Sequence, residues 1–268
     1  MSCDPDWLTV CRDALAGVRR VVAQSTDLHA VTGERGEGGD MTLEIDSAAE
    51  DAVFAALETT GAPITAVSEE RGELTFGGGG GARVVIDPID GSLNAKRRIP
   101  PSALSIAVAD GETMADVSFG YVAELVDERE WWAARGGGAW ENGKTLHIPA
   151  HPEGIEVLGL ESASTQVVAD TAERLRALDV HRLRVIGAIA LSLTSVASGR
   201  FDAMASLWPC RSVDAAAAQL IVREAGGSVA FPDVADGGLG ATLGLDMRSR
   251  VWAARDAEAL AALGEALG

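Results

Sequence analysis

Residues 83–98, RVVIDPIDGSLNAKRR, set two aspartates three positions apart between a β-branched run and a Gly-Ser turn, with three cations close behind. Val84-Val85-Ile86 reads as a buried strand, and Asp87-Pro88 is expected to end it, because proline has no N–H to give to a ladder. Asp87 and Asp90 would then stand at the strand's end with the Ile89 carbonyl between them. Three oxygen ligands from one short turn suit a hard cation such as Mg²⁺, which keeps waters for its substrate. Gly91 and Ser92 follow at a turn or helix start, where free N–H groups can hold a phosphate. The same residues also fit an ordinary Asp-Pro/Asp-Gly turn with solvated carboxylates.

Other acids stand at the ends of apolar elements. Glu69 and Glu70 close the run Ile64 to Val67, Asp214 opens the helical pattern of VDAAAAQLIVREAGG (213–227), and Asp46 falls where a strand-like piece meets a second helix. Each has a plainer role available: a solvated strand end for the glutamates, complementing the helix dipole for Asp214, an N-cap for Asp46. Taken together, four such positions match a multi-metal site better than scattered surface acids.

Composition limits the alternatives. The 268-residue chain is 47% hydrophobic, enough for a substantial core, and carries 40 Asp+Glu against 22 Lys+Arg for a formal net charge of -18. That balance disfavours nucleic acid as a partner, since a phosphate backbone needs a basic face, and suits divalent cations. Cys3, Cys11 and Cys210 show neither a disulfide framework nor zinc spacing. No apolar run reaches the eighteen or so residues of a membrane span, and the first residues are acidic where a signal peptide would be basic. The expectation is a cytoplasmic protein with no membrane partner.

Along the chain, Asp4-Pro5 reads as the cap and first position of an amphipathic helix reaching about Ala23; a loop at TGERGEGGD (32–40) precedes the second helix, which Gly61 closes. Five glycines, Gly77 to Gly81, lack the GK[ST] ending of a nucleotide-binding loop and read as a turn. Residues 103–126 alternate as antiparallel strands, and Asn142-Gly143 marks a type I′ hairpin. The first half is thus α+β. The second half alternates strand and helix, which predicts a layered α/β unit.

The segments SEE (68–70), DPIDGSLN (87–94), GGGAWENG (136–143) and VDAAAAQLIVREAGG (213–227), in this order and spacing, resemble the inositol monophosphatase superfamily of Mg²⁺-dependent, lithium-sensitive phosphatases over nearly the whole chain. The resemblance implies an α/β fold, a layered αβαβα sandwich, in one catalytic domain (1–268) of two lobes, about 1–150 with the main metal motifs and about 151–268 with Asp214. It implies that Glu69, Asp87 and the Ile89 carbonyl bind one metal and that Asp87, Asp90 and Asp214 bind a second, with room in such enzymes for a third, weak metal near Glu69. Gly91 and Ser92 would hold phosphate through their amides, while Ser92 and Asp46 orient and deprotonate the attacking water, with Glu69 also in the catalytic set. The implied cofactor is Mg²⁺ in two or three copies, with Mn²⁺ as a substitute and Li⁺ or Ca²⁺ inhibitory; the implied assembly is a homodimer.

Departures from that pattern bear on substrate. A basic residue that many relatives carry before the strand leading to Asp46 is absent or displaced in ERGEGGD; Val213 stands where an aromatic is common, and SLWPCRS (206–212) has no obvious inositol-contacting acid. SLWPCRSVD and SLNAKRRIP look closer to archaeal-type members, some of which hydrolyse fructose 1,6-bisphosphate. Lys96, Arg97 and Arg98 would either reach a second phosphate or form a solvated face; Arg211, with Arg182 and Arg184, is a further candidate for substrate contact. The expected activity is a Mg²⁺-dependent phosphomonoesterase acting on a small sugar or inositol phosphate. Fructose-1,6-bisphosphatase, histidinol-phosphate phosphatase and a non-catalytic metal- or phosphate-binding protein of the same fold are the alternatives.

Overall fold

The computed structural model describes residues 5–25, 30–35, 41–150 and 154–268. In chain order the elements are α1 (Trp7–Gln24), β1 (Val31–Arg35), β2 (Met41–Leu43), α2 (Glu44–Glu58), β3 (Ile64–Ser68), β4 (Gly72–Phe76), β5 (Ala82–Asp90), α3 (Ser92–Arg97), β6 (Ala103–Ala109), β7 (Val117–Glu124), β8 (Glu130–Ala134), β9 (Gly138–Glu141) and β10 (Lys144–Leu146). There follow β11 (Val157–Glu161), α4 (Thr165–Ala177), β12 (Arg182–Arg184), α5 (Ile189–Ala197), β13 (Ala203–Ser206), α6 (Ser212–Glu224), β14 (Ser228–Ala230), β15 (Trp252–Ala254) and α7 (Ala257–Leu267).

An eight-stranded sheet, order β10-β9-β8-β7-β6-β5-β3-β4, is antiparallel except where β3 runs parallel to β5. A five-stranded sheet has the order β12-β11-β13-β15-β14, parallel between β12, β11 and β13 and antiparallel at β15. The layers are α1/α2, the large sheet, α5/α6, the small sheet, and α4/α7. This is the expected αβαβα sandwich.

Burial of the large sheet on both faces explains why its central strands are apolar runs and not alternating ones. Along β5 and β6, Val84, Ile86, Leu104, Ile106 and Val108 pack toward α1 and α2, whereas Val85, Ala103 and Ala107 pack toward α5 and α6. The α6 side is lined by small residues for a reason. Helix α6 is buried all round, with Ala215, Ala216, Ala217 and Ala218 in the core, and it comes so close to the sheet that a Cβ added to Gly120 of β7 would lie 2.5 Å from the Ala217 carbonyl oxygen. That close seat carries the start of α6 to the end of β5.

The structure corrects several local readings. The first helix is capped by Asp6, whose carboxylate accepts from the Thr9 amide, and begins at Trp7; Asp4 lies outside the described residues. Thr32 to Arg35 belong to β1, paired with β2, and not to a loop; residues 36–40 of that stretch lie outside the described residues. Pro88 does not end β5. The strand continues to Asp90 through an irregularity between Asp87 and Asp90 in its pairing with β6, which accommodates the missing N–H and turns the two carboxylates out of the ladder. The small sheet is mixed and closes with two strands, since β15 enters antiparallel between β13 and β14.

Candidate active site

Parallel pairing of β3 with β5 sets the site's first half. Ser68 is in register with Ile86, so Glu69, the first residue past β3, stands beside Asp87 of β5. The backbone irregularity after Asp87 is braced by the aspartate itself, whose Oδ1 accepts from the Ile89 amide at 3.0 Å. Asp214 arrives in the first turn of α6. Carboxylate oxygens of Glu69, Asp87 and Asp214 all lie within 4.8 Å of one another.

Asp90 is buried beside this cluster and is raised by that burial and then by the Asp214 charge, but its oxygens also accept from the amides of Ile189 (3.1 Å) and Ala190 (2.8 Å) at the start of α5. It therefore ties the large sheet to the central helix layer. Asp46 sits in the first turn of α2, at its third residue and not at the cap. Ser92 Oγ lies 3.3 Å from Asp46 Oδ1 and 2.9 Å from the Ile89 carbonyl, its two acceptors. Gly91 takes φ 87°, a backbone that favours glycine, and a Cβ there would be 3.0 Å from the Gly187 carbonyl oxygen.

The cluster is electrostatically loaded. Burial and then the Glu70 charge push Asp46 up to about 7. Burial raises Glu69 to about 7 against the opposing pull of Arg211, whose Nη2 is 2.6 Å from Glu69 Oε1. Burial likewise lifts Asp87 and Asp90 well above the usual carboxylate range and raises Asp214. Carboxyls driven upward by loss of water and by one another are the signature of a site short of positive charge.

Over residues 7–265 the chain matches the model of the inositol monophosphatase family. The chain belongs to the inositol monophosphatase family. A relative from Methanothermobacter thermautotrophicus, named fructose-1,6-bisphosphatase/inositol-1-monophosphatase, is 36% identical over 206 residues, 72% of each chain. Another from Pseudomonas aeruginosa, named Nus factor SuhB, is 34% identical over 203 residues, covering 71% of this chain and 72% of its own. A solved structure titled inositol monophosphatase-fructose 1,6 bisphosphatase superposes with a TM-score of 0.83 at 26% identity, covering 98% of this chain and 100% of that one.

The donor set fits the metal ions that this phosphatase family uses. The three carboxylates offer hard oxygen, suited to Mg²⁺ or Mn²⁺. Cys210 adds no soft ligand, because burial pushes its thiol far up and its Sγ–H donates to the Ser249 carbonyl at 3.3 Å. Of the residues singled out from sequence, Asp46, Glu69, Asp87, Ile89, Asp90, Gly91, Ser92, Arg211 and Asp214 come together. Lys96, Arg97 and Arg98 end α3 and its cap, and no carboxylate among the described residues pairs with them.

Two supporting residues escaped the sequence reading. Glu161, 2% exposed at the end of β11, accepts from the amides of Ile186 (3.1 Å) and Gly187 (3.0 Å) and from Ser192 Oγ (2.5 Å), fixing the approach to α5. Its sequence signal, an acid closing an apolar strand, is the one that marks Glu69. Asn94 donates through Nδ2 to the carbonyls of Pro101 (2.9 Å) and Ile186 (2.8 Å), joining α3 to the same approach; nothing in the local sequence foretells so distant a partner.

Proposed function

We propose that this chain is a metal-dependent phosphomonoesterase acting on a small sugar or inositol phosphate. The observation that carries the reading is the meeting of Glu69, Asp87 and Asp214 within 4.8 Å, with Asp87 on the same short segment as Gly91 and Ser92. Glu69, Asp87 and the Ile89 carbonyl would hold one Mg²⁺, and Asp87, Asp90 and Asp214 a second, with a third near Glu69 and Mn²⁺ as a substitute; Li⁺ or Ca²⁺ would inhibit. When bound, the ions would supply a water of lowered pKa and neutralise charge on the phosphoryl oxygens.

The chain's own groups do the rest. Ser92 has one hydroxyl proton for two acceptors and keeps a lone pair toward an attacking water. Asp46, raised to about 7, exchanges a proton near neutrality, as a general base should. Gly91 and Ser92, at the start of α3, would present amides to the phosphate. Residues 1–268 would work as one catalytic domain whose lobes share the site, in a cytoplasmic homodimer. No helix among the described residues is long and apolar enough to cross a membrane.

A second reading, a bisphosphatase, is favoured by the cations Lys96, Arg97 and Arg98, which follow Ser92 on α3 and lack acidic partners among the described residues. The name of the Methanothermobacter relative supports both activities. Phosphate release from inositol 1-phosphate, fructose 1,6-bisphosphate, histidinol phosphate and adenosine 3′,5′-bisphosphate, with and without Mg²⁺, tests both readings. Release independent of divalent ions would overturn the mechanism, and no release from any substrate would favour a binding protein.

A further inference from the structure

Arg211 is the cation nearest the acidic cluster, and its backbone is held independently of its side chain. It caps α6, with its amide donating to Asp214 Oδ2 at 2.7 Å, and from there the side chain reaches back 142 residues to Glu69. The ion pair is a single 2.6 Å contact through Nη2, and not a two-pronged fork. Its partners' side chains are 18% and 16% exposed, so the guanidinium stands at the mouth of the site and not beneath it. One positive charge thus faces Glu69, Asp214 and Asp87 together.

We propose that Arg211 is a built-in counter-ion that neutralises Glu69 in the metal-free chain, competes with the divalent ion for that carboxylate, and on release turns its charge toward the anionic substrate. The proposal rests on the metal-dependent reading above. A divalent ion taken up at Glu69 draws on the same carboxylate charge and repels the guanidinium, so its arrival weakens the Arg211 contact on Oε1 and favours release of the side chain. The cap on Asp214 stays, since it is a backbone bond, and the freed side chain keeps its tether at the site's edge. Metal entry and exposure of an anion-binding guanidinium are thereby coupled, which favours metal before substrate.

Isothermal titration of Mg²⁺ into wild type, Arg211→Gln and Arg211→Lys tests this, with thermal unfolding in EDTA and titration of inorganic phosphate onto the Mg²⁺-loaded proteins. Expected for Arg211→Gln are a Mg²⁺ affinity about tenfold tighter, a lower metal-free Tm, and phosphate affinity weakened about tenfold, the size of one charge-assisted contact. Arg211→Lys, which keeps the charge, should fall between it and wild type in all three. Unchanged or weaker Mg²⁺ binding by Arg211→Gln would overturn the competition, as would Lys and Gln variants that behave alike. No Mg²⁺ binding by wild type would instead overturn the metal-dependent reading on which the proposal stands.

Discussion

Replacing Asp87 by asparagine should make the metal-free protein more stable and the metal-loaded protein inactive. The exchange is nearly isosteric, and the new side-chain oxygen can still accept from the Ile89 amide, so the backbone irregularity survives. What disappears is one negative charge within 4.8 Å of two others. At an effective dielectric of about 20, each such pair repels by about 3.5 kcal/mol. Partial protonation, expected for carboxyls raised by burial and by one another, cancels much of that, and so does the lost attraction to Arg211. A net gain of roughly 1–3 kcal/mol remains, or roughly 2–8 °C in Tm at this chain length. With Mg²⁺ at about a hundred times its Kd, wild type should gain about 2.7 kcal/mol while the variant gains little. Thermal unfolding at pH 8 in EDTA and in Mg²⁺, beside phosphate release, measures both halves. A variant less stable than wild type without metal, or equally stabilised by Mg²⁺, would refute the reasoning.

Stability of the metal-free chain should fall as pH rises. Asp46 and Glu69 sit at about 7 when folded against 3.8 and 4.5 ordinarily, so between about pH 4 and 7 the folded state binds more protons than the unfolded one. A Tm that rises through that window in EDTA would contradict the assignment; Mg²⁺ should flatten the fall. Ser92→Ala should lower kcat about a hundredfold or more with a small change in KM, because the hydroxyl handles a proton and does not grip the substrate. Steady-state kinetics that moved only KM would oppose this. Gly91→Ala should cost about 1–3 kcal/mol, combining a left-handed backbone with a Cβ 3.0 Å from the Gly187 oxygen, as denaturant unfolding would register.

Much of the site was legible before any fold was known. Asp87, Ile89, Asp90, Gly91 and Ser92 are covalent neighbours, so their proximity follows from chain geometry, and the strand, turn and helix signals around them are local. The course of β5 through Pro88 was misread because a proline's lost hydrogen bond is absorbed by an irregularity that only the partner strand β6 defines. Glu161 and Asn94 passed unnoticed because their partners lie up to 92 residues away in sequence. A lone acid or amide does not announce a distant carbonyl or amide.

From the amino-acid order alone came the layered α/β class, the apolar elements, and a set of acids waiting at their ends. Folding decided which of those acids meet. Parallel pairing of β3 and β5 sets Glu69 beside Asp87, and the missing side chain at Gly120 lets α6 approach the sheet closely enough to deliver Asp214. The physical reason is the range of the forces concerned. Periodicity and turn chemistry act over a few residues and are written in sequence, whereas three carboxylates within 4.8 Å, and the arginine that answers them, are held there against repulsion by the packing of the whole core.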